Sequence, residues 1–221
     1  MTVSAAEARY DFDEILRLVR PGSRVLDVGC GAGDLLERLQ REKRVDGRGV
    51  EIGPEDVAAC LAKGLAVMQG DAERDLAEFS DSSFDYAILS QTLQAMRQPR
   101  TVLCELLRLA DRAIVSFPNF GHWRVRMSLL TRGRMPVTRA LPETWWQTSN
   151  LHLCTLRDFL ELCDELGLRI EAASALVRGR PARAMDPMRP TENWRAEQAL
   201  FLLSRPTATA TSGPDQADLF A

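Results

Sequence analysis

Apolar residues along the chain follow two alternating patterns. A short apolar run at 25–28 can form a buried strand, and the segments 48–52, 65–69, 84–90 and 113–117 read as four more strands. Between them, apolar positions recur every three or four residues. Ile15, Leu16, Leu18 and Val19 mark a helix over 5–20 that Pro21-Gly22 ends. Leu35, Leu36 and Leu39 mark a second helix to about Lys43, and Pro54 with Glu55 and Asp56 opens a third that Gly64 stops. Val102, Leu103, Leu106 and Leu107 mark another over 100–110. The alternation then breaks: 118–150 has no clear period. It resumes at Thr155, a helix cap with Asp158 in the capping-box position, followed by Phe159, Leu160, Cys163 and Leu166 on one face. Runs at 168–173 and 199–203 supply two final strands. Strands alternating with helices predict an α/β fold, a mainly parallel seven-stranded sheet with helices on both faces. The expected folded unit is 1–204, with an insertion at about 118–150. The Thr-, Ala-, Ser- and Pro-rich segment 205–221 reads as a disordered tail.

Composition narrows the picture modestly. The 221 residues, 45% hydrophobic and 27% charged, suit one soluble domain large enough to bury a core. A formal net charge of −3 gives no general reason to expect direct nucleic-acid binding. No apolar run reaches bilayer length and the first residues have no secretory pattern, so a cytoplasmic protein without a membrane partner is expected. Cys30, Cys60, Cys104, Cys154 and Cys163 are scattered without a C-x-x-C pair, and the reading is reduced structural thiols.

The chemistry gathers where strands end. After the first strand, Gly29, Gly31 and Gly33 alternate through a turn before the helix begins. This is the front of a nucleotide-binding βαβ unit, where glycine allows unusual dihedrals and close ligand approach. Asp34 stands where the dinucleotide fingerprint needs its third glycine, and Asp27 precedes the first. The run D-V-G-C-G-A-G resembles motif I of the class I S-adenosylmethionine (SAM) methyltransferases. Asp27 is read as orienting the loop or meeting an ammonium group. Glu51, eighteen residues after Gly33 at the end of the second strand, can accept both ribose hydroxyls, with Ile52 beside it. Asp71 after the third strand can accept an adenine amine, and Ser90 ends the fourth. The candidate cofactor set is therefore Asp27, Gly29, Gly31, Gly33, Glu51, Ile52, Asp71 and Ser90. Ser90-Gln91-Thr92 replaces the N/D-P-P-aromatic motif of amino-methylating enzymes, and no catalytic residue is assigned.

The segment 118–153 carries His122 and His152, three of the four tryptophans, five arginines and a single acid, Glu143. Arg and Trp are enriched at interface hot spots, and long irregular segments usually have a function. His122, Trp123, Arg124, Arg134 and His152 are the candidate surface for an anionic substrate or a partner protein. The two histidines lack further ligands at metal-binding spacing, so no metal site is expected.

Beyond the loop, the segments R-V-L-D-V-G-C-G, G-V-E-I, F-D-Y-A-I-L-S-Q-T-L-Q-A, R-A-I-V-S-F-P-N-F-G-H-W-R, G-R-M-P-V-T-R-A-L-P and N-L-H-L-C-T-L-R-D-F resemble the MetW family of methionine-biosynthesis proteins. The resemblance spans roughly 21–173. It implies a class I methyltransferase (Rossmann-like) fold and a SAM or S-adenosylhomocysteine ligand. It also implies a role beside MetX, the homoserine O-acyltransferase (acetyl or succinyl), as activator or regulator. The alternative is an active methyltransferase acting on a small anionic acceptor. Ala32 and Gly53 depart from the family pattern, which often has Asp at both positions. Separately, Gln216-Ala217-Asp218-Leu219-Phe220 resembles the pentapeptide by which bacterial replication proteins dock on the DNA sliding clamp, which makes a weak contact through the tail a further expectation.

Overall fold

The computed structural model describes residues 10–138, 141, 143–148, 151–177 and 180–206. The tail pentapeptide, Arg139 and residues 5–9 of the first expected helix lie outside them. The elements run α1 (Tyr10–Leu18), β1 (Arg24–Val28), α2 (Asp34–Lys43), β2 (Asp46–Glu51), α3 (Pro54–Ala62), β3 (Ala66–Gln69), α4 (Ala72–Asp75), β4 (Phe84–Ser90) and α5 (Pro99–Leu109). They continue as β5 (Ala110–Pro118), α6 (Trp123–Arg132), α7 (Leu156–Glu165), β6 (Arg169–Leu176), β7 (Arg183–Ala184), α8 (Glu192–Arg195) and β8 (Gln198–Ser204).

One sheet holds the chain in the order β3-β2-β1-β4-β5-β8-β6-β7. The first five strands pair in parallel, and β8 inserts antiparallel between β5 and β6. The described strands number eight, not the expected seven. The addition is β7, two residues antiparallel to β6 and too short to leave a periodic signal.

Side chains alternate between the two faces of the sheet. Val25, Tyr86, Ile88, Ile114, Leu200 and Leu202 meet α1 and α2 through Ile15, Leu16, Leu35 and Leu39. Leu26, Ala87, Leu89, Val115, Phe117 and Phe201 meet α5 and α7 through Leu103, Leu106, Leu156 and Phe159. On the second face Phe117, Phe159 and Phe201 cluster, with ring centroids 4.7 Å, 4.8 Å and 5.9 Å apart. Helices therefore cover both faces, and every parallel strand delivers its C-terminal end to one edge. Among the described residues no helix is long and apolar enough to cross a membrane.

The insertion is not wholly irregular, which corrects the expectation for 118–150. It opens with α6, of which Val125 is buried while Met127, Leu129 and Leu130 are exposed. Apart from Val125 its apolar residues are exposed, so no contrast between a core face and a solvent face appears in the sequence.

Candidate functional site

The turn after β1 is built as its glycines require. Gly29, Gly31 and Gly33 all have positive φ, at 71°, 53° and 79°. Two are also closely packed. A Cβ on Gly29 would stand 2.7 Å from Thr92 Cγ2, and one on Gly33 would stand 2.4 Å from Leu65 Cδ1 and 2.8 Å from Cys60 Sγ. A Cβ on Gly31 would meet nothing within 4 Å. Gly31 is thus the glycine that faces open space, where a ligand can approach the backbone.

Glu51, the last residue of β2, fixes this loop. Its Oε2 accepts the Gly31 N–H at 2.8 Å, and its Oε1 accepts the N–H groups of Ile52 and Gly53, both at 2.9 Å. The carboxylate is held at the mouth of the turn by charge-assisted bonds. Beside it the Ile52 side chain is 66% exposed, an apolar shelf unusual for a surface isoleucine. Below, the Cys60 thiol donates to Gly31 O at 3.1 Å, and Gly49 leaves room for Cys30. Burial pushes both thiols above their ordinary range, so both stay protonated at neutral pH.

Lys63, which sequence reasoning missed, closes the rim: its Nζ donates to Ala32 O at 2.8 Å and to Asp34 at 2.5 Å. The hydrogen bond to Asp34 raises the lysine pKa. Nothing short of contact geometry links Ala32, in the glycine turn, with Lys63, which caps the C-terminus of α3.

Asp27 and Ser90 join the loop at a small cavity of about 60 Å³, lined also by Phe12, Gly29, Gly31 and Asp34. Asp27 is buried, and the Ser90 hydroxyl donates to Asp11, which Ser116 also reaches at 3.1 Å. Asp71 stands apart. It caps α4, accepting the Glu73 N–H at 3.0 Å, and lines a different cavity of about 200 Å³ with Arg97 and Gln98. The glycine turn, Asp27, Glu51 and Ile52 thus form one connected site that Ser90 borders, with Asp71 at its periphery.

The second candidate surface divides as well. His122, Trp123 and Arg124 line a cavity of about 620 Å³ over the end of β5. Arg134 lies beyond the C-terminus of α6, and His152 Nε2 is 3.2 Å from Arg97 O. Two buried amides that sequence reasoning missed tie the insertion down. Asn119 Nδ2 donates to Asn193 O and Ala196 O at 3.0 and 2.9 Å, and its Oδ1 accepts from Gly121 N and Leu156 N. Gln94 Nε2 donates to Pro118 O at 3.0 Å, while the Gln94 main-chain carbonyl accepts from Leu151 N and His152 N. Among the described residues no group of three or more His, Cys, Asp or Glu side chains could hold a metal ion.

Residues 9–203 match the model of the family described as methionine biosynthesis protein MetW. The chain belongs to the MetW family. It is 35% identical over 170 residues to the bifunctional methionine biosynthesis protein MetXA/MetW of Rhodopirellula baltica, covering 73% of this chain and 27% of that relative. The MetW-family chain therefore corresponds to about a quarter of the longer protein. Its fold is that of the class I SAM-dependent methyltransferases. A SAM-dependent methyltransferase of Thermotoga maritima superposes with a TM-score of 0.65 over 89% of this chain and 90% of that one, at 15% identity. Another from Archaeoglobus fulgidus superposes at 0.63 over 88% and 91%, at 13% identity.

Proposed function

We propose that this MetW-family protein binds SAM or S-adenosylhomocysteine at the glycine turn and supports methionine biosynthesis by acting with a homoserine O-acyltransferase. The residues of the turn fit such a ligand. Open space over Gly31 admits it against the backbone, Glu51 offers a fixed carboxylate to the ribose hydroxyls, and exposed Ile52 offers a face to adenine. Buried Asp27 suits the ammonium end of the amino-acid tail. When bound, SAM supplies an electrophilic methyl on sulfur; the chain's part is to bind and orient it.

The observation that carries the partnership is the distribution of exposed apolar residues. Of the fourteen large apolar side chains exposed among the described residues, ten lie between Trp123 and Leu153, including Leu130 at 81% and the edge-to-face pair Trp145 and Trp146. Such a concentration of exposed apolar and Trp side chains in one segment is the composition of a protein-contact surface. The relative in which MetXA and MetW share one chain supports an acyltransferase as the partner. Because SAM is made from methionine, its binding could couple product level to acylation if the ligand favours one of two states of the complex.

Calorimetry with SAM and S-adenosylhomocysteine tests the ligand. Saturable heat that Glu51→Ala abolishes is expected, and no heat from the intact protein would refute ligand binding. A second reading, methyl transfer to a small anionic acceptor, is favoured by the arginine-lined cavity over β5. It predicts conversion of SAM to S-adenosylhomocysteine with a metabolite extract, lost in Glu51→Ala.

A further inference from the structure

The cavity over β5 has features that the partner surface does not explain. Its floor is the end of β5 at Pro118 and Asn119, and its walls come from α6, Thr138, Leu141 and the segments flanking β7 and β8. Four arginines line it, Arg124, Arg180, Arg183 and Arg195, against one acid, Glu197. Two of the four are engaged. Arg183 makes a two-pronged pair with Glu192 at 2.6 and 3.1 Å, and Arg124 lies 3.6 Å from Glu197. Among the described residues Arg180 and Arg195 form no ion pair.

At the base, His122 is only 6% exposed, yet neither ring nitrogen has a hydrogen-bond partner among the described residues. The ring lines the cavity, so its nitrogens are free to meet a ligand there. Burial also lowers its pKa, which keeps the ring neutral with one N–H to donate. A volume of about 620 Å³ is that of a metabolite pocket, and convergent polar groups at its base are what fix a ligand's orientation.

We propose that this cavity binds a small polyanion bearing carboxylate or phosphate groups, with His122 donating from the floor and Arg180 and Arg195 pairing from the rim. The site is distinct from the glycine turn: β4 separates β1 from β5, so the two strand ends are two strand spacings apart, about 10 Å. The inference stands whether or not methyl transfer occurs. The recessed His122 favours a small molecule over an acidic loop of a partner protein, which would engage the rim arginines first.

The test is titration of the full chain with inorganic phosphate and, separately, citrate, followed by calorimetry and tryptophan fluorescence, with potassium chloride at matched ionic strength as control. Saturation by either anion supports the site, and the anion that saturates identifies the class. Arg180→Gln with Arg195→Gln should weaken that binding at least tenfold, and His122→Asn should weaken it severalfold. Both rim arginines are exposed, so their double variant should melt with the intact protein and bind SAM with unchanged affinity. Absence of saturation, equal binding by the double variant, or equal response to chloride overturns the proposal. So does arginine-dependent capture of an acidic protein without any small-anion binding.

Discussion

A pair of single-methyl substitutions separates the structural glycine of the turn from the ligand-facing one. In Gly33→Ala the new Cβ stands at φ 79°, 2.4 Å from Leu65 Cδ1 and 2.8 Å from Cys60 Sγ. Leu65 is 4% exposed and Cys60 fully buried, so neither can swing into solvent. A left-handed backbone costs a non-glycine residue about 1–2 kcal/mol, and overpacking adds about 1–3 kcal/mol. Together they remove about 2–5 kcal/mol, a large share of a typical domain's stability. Gly31→Ala pays the backbone cost alone, about 1–2 kcal/mol, because nothing lies within 4 Å of its Cβ. That methyl would instead occupy the space assigned to the ligand. Urea denaturation should therefore rank Gly33→Ala well below Gly31→Ala, while calorimetry should show Gly31→Ala binding SAM at least about tenfold more weakly, roughly 1.4 kcal/mol. Unchanged SAM affinity in Gly31→Ala, or equal denaturation midpoints for the two variants, would refute the assignment.

Three further outcomes are expected. Asn119→Ala breaks four hydrogen bonds around the start of the insertion and should cost about 3–5 kcal/mol in urea denaturation, through the unsatisfied buried groups it leaves; a loss below about 1 kcal/mol contradicts its role. Ile52→Asp should leave the melting temperature unchanged, since the side chain is exposed, yet weaken SAM binding about tenfold through loss of its apolar shelf; equal affinity would remove Ile52 from the site. Glu14, buried in α1, is hydrogen-bonded by Arg17 and Ser174, and the Arg17 bond holds its pKa below the ordinary 4.5. The folded state therefore binds that proton less readily than the unfolded one, so the stabilisation is present above pH 4.5 and is lost as the pH falls through the folded value. Acid titration of stability should fall less steeply below pH 4.5 in Glu14→Gln than in the parent.

The sheet was legible because its signals are local. Glycines 29, 31 and 33 announce a turn that must bend through positive φ, and the Thr155–Asp158 box forms with both reciprocal bonds present. The Glu51 carboxylate was legible for the same reason, since a strand end beside a glycine turn leaves few places for it to point. What stayed hidden depends on contact between distant residues. Asn119 bonds residues up to 77 positions away, and Lys63 reaches back 31 positions to Ala32. The arginines of the β5 cavity are spread over seventy residues, with no spacing that identifies them as one group. Helix α6 escaped because its exposed Met127, Leu129 and Leu130 invert the usual pattern. A helix that exposes its apolar residues leaves no amphipathic period in the sequence.

We propose that this protein acts on methionine biosynthesis through a homoserine O-acyltransferase, under control of a ligand at the glycine turn. It is tested most directly by measuring acyltransferase turnover of the native cell's enzyme alone, with this protein, and with this protein plus SAM. Turnover that changes on adding the protein, changes again with SAM, and loses the SAM response in Glu51→Ala is the predicted result. Turnover indifferent to both additions would contradict the account.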